Sequence, residues 1–241
     1  MKTMMYGVRG VLLLTFLVLN TSCKLQTKQD NGPQKTPPSL NSKGESKGEA
    51  IYTFKDAPVP IERGESIAFK LPNGETHWYE VVYLPEMGIN WVQAKSLAEL
   101  AGGYLVTIHS DLENEFVFNL IKDKKYWYQW DDSHNGVMSG PFIGAFQPLG
   151  AKEPDGGWQW VSGEEWTYTN WCKDGVKEDR NPRPNDQPND ATGNQNVGAF
   201  GEVNEPVGYW GDFPQRFGSF NDSHPGGVYA FIIEYNTEKT Q

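Results

Sequence analysis

The stretch NWVQAKSLAELAGGYLVTIHSDLENEFVFNLI, residues 90–121, holds two helical patterns separated by a short apolar run. Asn90 can cap the first helix, and Gln93, three residues on, completes a box-like start. Ala94, Leu97, Ala98 and Ala101 recur at helical spacing, and Gly102-Gly103 ends the helix. Tyr104 to Ile108 reads as a short buried strand. Ser110 then caps a second helix with Glu113 as its capping-box partner, and Phe116, Val117, Leu120 and Ile121 give that helix one apolar face. Upstream, residues 77–84 are rich in aromatic and β-branched types and predict a strand. Downstream of 125 the helical period disappears. Short strands are predicted at 141–144, 158–161 and 228–235, separated by Gly, Pro, Asn and Asp. Residues 164–222 show little periodicity, and a loop of that length in a compact domain is usually functional. The class is α+β: two helices packed on small, mostly antiparallel sheets, with one long loop region.

The chain outside this domain is of two other kinds. Lys2 and Arg9 precede a nine-residue apolar run, Val11 to Leu19, too short to span a bilayer of ~30 Å. Residues 1–22 therefore read as a secretory signal peptide. Cys23 follows small polar residues, which resembles a bacterial lipoprotein signal, and makes Cys23 the candidate lipidated residue. That pattern wants an aliphatic residue three before the Cys, where this chain has Asn20, with Leu19 one place earlier. An ordinary cleaved signal with Cys23 incidental is the alternative. Residues 23–50 carry no aromatic residue and no apolar period, so they are expected to stay disordered as a linker. The globular domain spans 51–236, and 237–241 is a tail.

Among 241 residues, 21 are Lys or Arg and 31 are Asp or Glu, a formal charge of −10. Seven of the basic and three of the acidic residues precede position 51, leaving 14 against 28 in the domain and tail. That acidity argues against nucleic acid, which needs a basic face. Two cysteines make no disulfide scaffold. A membrane contact is expected only through the N-terminal lipid, which leaves the domain exported and held at the cell envelope, or secreted if Cys23 is not lipidated.

Several landmarks through 77–235 occur in a telling order. They are Trp91-Val92-Gln93-Ala94, Gly102 to Ser110, Glu113 to Val117, Phe142-Ile143-Gly144-Ala145, and Trp158-Gln159-Trp160-Val161-Ser162-Gly163. Trp166 to Trp171, Gln187-Pro188-Asn189-Asp190, Phe220-Asn221-Asp222 and Phe231 to Tyr235 follow. The set resembles the C-type lectin-like domain, most closely its secreted bacterial members. Many domains of this fold bind no sugar. The two disulfides often seen in the family would fall at Ala98 with Ile233 and at Val197 with Pro225. Both pairs are absent whole, and three of the four substitutes are apolar, as in a branch where packing replaces the cross-links. Cys172 then reads as a buried small apolar side chain.

The resemblance also implies a site. In sugar-binding members the long loop holds calcium, and sugar hydroxyls complete its oxygen shell of six to eight ligands. The ligand positions carry over to Gln187, Asn189, Gln195, Asn221 and Asp222, with Pro188 as the cis-proline between two of them. Only Asp222 of the five is an acid, so any calcium is expected to bind weakly, or to recruit Asp186 or Asp190. Trp210-Gly211-Asp212 rivals Phe220-Asn221-Asp222 for the last element, leaving Asp212 or Asp222 as the site acid. With the 220–222 assignment, Trp210 lies on an inserted loop, where it stacks on a sugar face or packs the loop. Trp158 and Trp160, like Trp166 and Trp171, read as structural.

The expected function is a carbohydrate-binding, lectin-type module on the bacterial cell surface, its partner a glycan and its calcium weak. The alternative is a calcium-independent adhesion domain that binds a cell-surface protein. His77, His109, His134 and His224 show no metal-ligand spacing, and there is no Gly-x-Ser-x-Gly elbow or phosphate-cradling loop. Glu164-Glu165 reads as a charge pair in a turn and His109 as structural, so no catalysis is expected.

Overall fold

The computed structural model describes residues 53–57, 59–86, 88–129, 138–173, 186–203, 205–216 and 227–239. The signal segment, Cys23 and the whole 23–50 linker, with Asn221 and Asp222, lie outside the described residues. In chain order the elements are β1 (Glu62–Arg63), β2 (Ile67–Lys70), β3 (Thr76–Tyr83), α1 (Trp91–Leu100), β4 (Tyr104–Leu105) and α2 (Asp111–Ile121). After a 3-10 turn (Lys124–Tyr126) come β5 (Tyr128–Gln129), β6 (Met138–Phe146), β7 (Gln159–Trp160), β8 (Gln195–Val203), β9 (Trp210–Pro214) and β10 (Ala230–Tyr235).

The strands form one twisted path, β1-β3-β10-β6-β8-β9, with β2 on β3, β4 on β10, and β5 and β7 on β6. The first long strand and the last meet at its centre: β10 pairs β3 antiparallel and β6 parallel, through Phe231 and Phe142. This closing of early and late strands, with two helices ahead of the later strands, is the arrangement that the resemblance implies. Position 164–222 is less irregular than its sequence predicts. β8 and β9 form an antiparallel pair there, Gly198 opposite Asp212 and Phe200 opposite Trp210. The expected 104–108 strand contracts to β4.

Both helices start where the sequence places them. Around Asn90 the capping box is complete: its side chain accepts from Gln93 N, and Gln93 Oε1 accepts from Asn90 N. Around Ser110 only half of it forms. Ser110 Oγ accepts from Glu113 N at 3.2 Å, while Glu113 instead accepts from His109 N at 2.7 Å and Tyr79 OH at 2.6 Å. The carboxylate thus ties α2 to β3, and the buried face of α2 is Glu113, Asn114, Val117 and Ile121. Phe116 and Leu120, expected on that face, are half-buried.

Two apolar clusters sandwich the sheet. One joins α1 to the sheet through Trp91, Leu97, Phe142 and Phe231. Ala98, Ile233 and Val197, three of the four positions where the resemblance puts cysteines, are fully buried in it. The other cluster joins α2 to Trp158, Trp160, Trp171 and Trp210. Glu234 is fully buried in the otherwise apolar β10, and a buried charge needs partners. His77 Nδ1 lies 2.5 Å from it, and Thr107 donates from its N at 2.8 Å and its Oγ1 at 3.0 Å.

Candidate functional site

Trp171 and Cys172 run beside β9: Trp171 bridges Trp210 in parallel, and Cys172 N donates to Trp210 O at 2.8 Å. On their other side Gln187 N donates to Cys172 O at 2.8 Å. The chain therefore enters the loop already bonded to the sheet. The Gln187-Pro188 bond is cis, as the resemblance implies. Gln187 is 3% exposed, and Cys172 is buried as a small apolar side chain would be.

Asp212, on β9 and fully buried, closes the loop. Its Oδ1 accepts from Asn189 N at 3.0 Å and its Oδ2 from Asp190 N at 2.8 Å. Its carbonyl accepts from Gln195 Nε2 at 2.9 Å. Asp190 takes a left-handed backbone, φ 44°, and its Oδ1 accepts from Gln195 N at 2.9 Å. Asn189 Oδ1 accepts from Ala191 N at 2.9 Å, an Asx turn. Lys173 Nζ donates to Gln187 O at 2.7 Å. Burial pushes the Asp212 carboxyl up to about 6, against the pull of the Asp190 and Asn189 amides.

Of the five positions carried over, Gln187, Asn189 and Gln195 come together. Among the described residues the acid beside them is Asp212, on β9, from the rival Trp210-Gly211-Asp212 element, while Asn221 and Asp222 lie outside the described residues. Trp210 is no sugar platform. It is fully buried, its Nε1 donates to Asn114 Oδ1 at 2.9 Å, and the rings of Trp160, Tyr168 and Trp171 pack around it within 6 Å. Its ring is consumed as core, as are those of Trp158 and Trp160, both buried. Lys173 had no sequence signal. Asp212 had one, its place in the Trp-Gly-Asp element.

The group implied by the resemblance, calcium, finds a poor donor set here. Both Asp212 oxygens hold backbone amides, Asn189 Oδ1 holds a turn, and Gln187 Oε1 faces Asp212 N at 3.4 Å. Gln195 Oε1 alone of these oxygens is buried without a hydrogen-bond partner. Calcium wants six to eight oxygens with several carboxylates among them. Among the described residues these oxygens do not make up that shell, and Asn221 and Asp222 of the implied set lie outside them. Among the described residues no group of three or more His, Cys, Asp and Glu could hold a metal ion.

A second polar cluster surrounds Thr107. Glu164 Oε2 receives Ser162 Oγ at 2.8 Å and lies 3.1 Å from both Thr107 Oγ1 and His109 Nε2. Burial pushes the Glu164 carboxyl up, but Ser162, His109 and Thr107 outweigh it and hold it below the usual carboxylate range. Glu164 is thus a partnered residue that fastens the 161–164 turn to the segment between β4 and α2, more than the bare charge pair its sequence suggests.

No sequence-family profile and no curated protein matches the chain. Solved structures do. The cow C-type carbohydrate-recognition domain of CD23, solved with an oligosaccharide, is 21% identical, covering 68% of this chain and 90% of that one at a TM-score of 0.41. The mouse scavenger receptor C-type lectin carbohydrate-recognition domain is 19% identical over 68% and 92%, at 0.42. A calcium-independent type II antifreeze protein is 17% identical over 66% and 85%, also at 0.42. At these identities the likeness is one of fold.

Proposed function

We propose that the domain is a carbohydrate-binding module that works without calcium, held at the cell envelope by its N-terminal segment through Cys23, and that it has no catalytic role. The observation that carries the calcium-free reading is the Asp212 clamp. A loop that would need an ion to hold its shape is held here by a carboxylate accepting the two consecutive amides of Asn189 and Asp190. Such charge-assisted bonds are roughly twice as strong as neutral ones. Lys173 adds a resident cation on Gln187 O. The tip beyond the clamp, Ala191 to Asn194, is exposed, and with Thr192 and Asn194 it offers hydroxyl and amide groups of the kind that meet sugar hydroxyls.

The test is thermal unfolding of the exported chain with calcium and with EDTA, paired with retention on a glycan surface. A site of Kd ~1 mM would stabilise the fold by about 1.4 kcal/mol at ~10 mM calcium. That would raise the Tm of a domain this size by several degrees. The expected result is no shift, and glycan retention that survives EDTA. A calcium-dependent Tm with retention lost in EDTA overturns the calcium-free reading. Retention on no glycan, together with capture of a cell-surface protein, replaces it with the protein-binding alternative.

A further inference from the structure

A groove of about 440 Å³ lies between α2 and the segment leading into β9. One wall is the α2 stripe Asp111, Asn114, Glu115 and Phe118, residues three and four apart on one helix face. The other is 206–209, ending in Tyr209. Resting on the carbohydrate reading above, we infer that this groove is the subsite for a sugar unit bearing a protonated amine.

The donors at the floor are turned inward. Asn114 Nδ2 and Asn170 Nδ2 both donate to Gly208 O, at 2.9 and 2.6 Å, and Trp210 Nε1 donates to Asn114 Oδ1. What the walls offer a guest is acceptors and apolar surface. Asp111 and Glu115 are exposed carboxylates, and Tyr168 OH donates to Asp111 Oδ1 at 2.9 Å. Phe118, Val207 and Tyr209 are half-buried along the same recess. The lining contains no Lys, Arg or His. Two carboxylates beside an aromatic edge, in a lining with no cation, complement a guest with a positive head and an apolar ring face. The volume falls in the lower part of the range for small-ligand sites, enough for a sugar unit and not for an extended chain.

The experiment is calorimetric titration of the exported chain with short glucosamine oligomers, their N-acetylated counterparts and short oligolysine, at about pH 6, where amines stay protonated. The expected result is binding of the amine form, at least ~10-fold weaker binding after N-acetylation, and weakening with added salt. Glu115→Gln with Asp111→Asn should cost ~10-fold or more while leaving the Tm within a degree or two of the parent. Equal binding of both sugar forms, unaffected by the double substitution, overturns the groove and leaves the carbohydrate reading standing. Binding of oligolysine but of neither sugar overturns the amine-sugar subsite. Binding of no probe at all overturns the amine subsite, and the glycan surface described above decides the broader reading separately.

Discussion

Asp212 shows how a single carboxylate can hold a loop. It is fully buried, and its two oxygens accept from two backbone amides. Asp212→Ala removes the acceptor for both amides, and each unmet buried donor costs about 1–3 kcal/mol. Because Asn189 and Asp190 are only half-buried, the expected loss is about 2–3 kcal/mol, read from urea unfolding at neutral pH. Asp212→Asn keeps one acceptor oxygen and should lose less. It should also remove a pH dependence. A carboxyl near 6 when folded, against an ordinary 3.8, binds its proton more tightly in the fold. Its contribution therefore grows as pH falls through the window from about 6 to 4, by up to about 3 kcal/mol in the limit. An alanine variant as stable as the parent would show that the loop is held by something else. The residue was visible in the sequence only as half of an ambiguity. Distance along the chain favours Asn221-Asp222, which lie outside the described residues, while pairing of β9 with β8 across the sheet brings Asp212 to the loop. Spacing in sequence cannot register a hairpin that inserts between two landmarks.

At the level of elements, the helices were legible and the hairpin was not. Caps and a 3.6 period are local, so Asn90, Gln93 and Ser110 announce α1 and α2 before any tertiary contact exists. β8 reads Gln-Asn-Val-Gly-Ala-Phe-Gly-Glu-Val, with two glycines and no clean alternation. Its Val197 and Ala199 enter one core while Phe200 enters the other, so no polar face marks the strand. The glycines have packing reasons: a Cβ at Gly198 would meet Ala145 Cβ at 2.9 Å, and one at Gly201, φ 145°, would meet Met138 O at 2.6 Å. The capping-box motif misled in one detail. Glu113 carries the right residue type at the right offset, but its carboxylate serves β3 through Tyr79. The two roles separate by mutation. Ser110→Ala should cost about 1 kcal/mol, the ordinary worth of an N-cap. Glu113→Ala strands the Tyr79 hydroxyl and the His109 amide, and should cost about 2–4 kcal/mol in the same denaturant titration. Equal costs would mean that Glu113 acts only at the helix end.

At the scale of the molecule, most of the shifted carboxyl and imidazole groups among the described residues lean one way. Glu113 is raised above the usual carboxylate range, first by burial, and Asp212 by the same cause. His77 is raised above 6.5 by its bond to Glu234, which outweighs burial. All three bind protons more tightly in the fold than in the open chain. For the histidine, the added stability is complete below 6.5 and is lost as pH rises through its folded value; for the two carboxyls, it grows as pH falls toward their unfolded values. The domain and tail also carry 28 acidic against 14 basic residues, a self-repulsion that protonation relieves. Glu164 runs the other way: held low, it contributes above its unfolded value and loses that contribution only as pH falls through its folded one. The chain should therefore be more stable near pH 5 than near pH 8, with the loss appearing at still lower pH, where Glu164 takes its proton. Urea midpoints measured across that range test it, and a midpoint that falls steadily from 8 to 5 contradicts it. His77→Gln should flatten the limb above about 6.5 and leave the slope between about 4 and 6, where Asp212 titrates, in place. That division assigns the acid preference to two separate places, the closing strand at the centre of the sheet and the clamp beneath the loop.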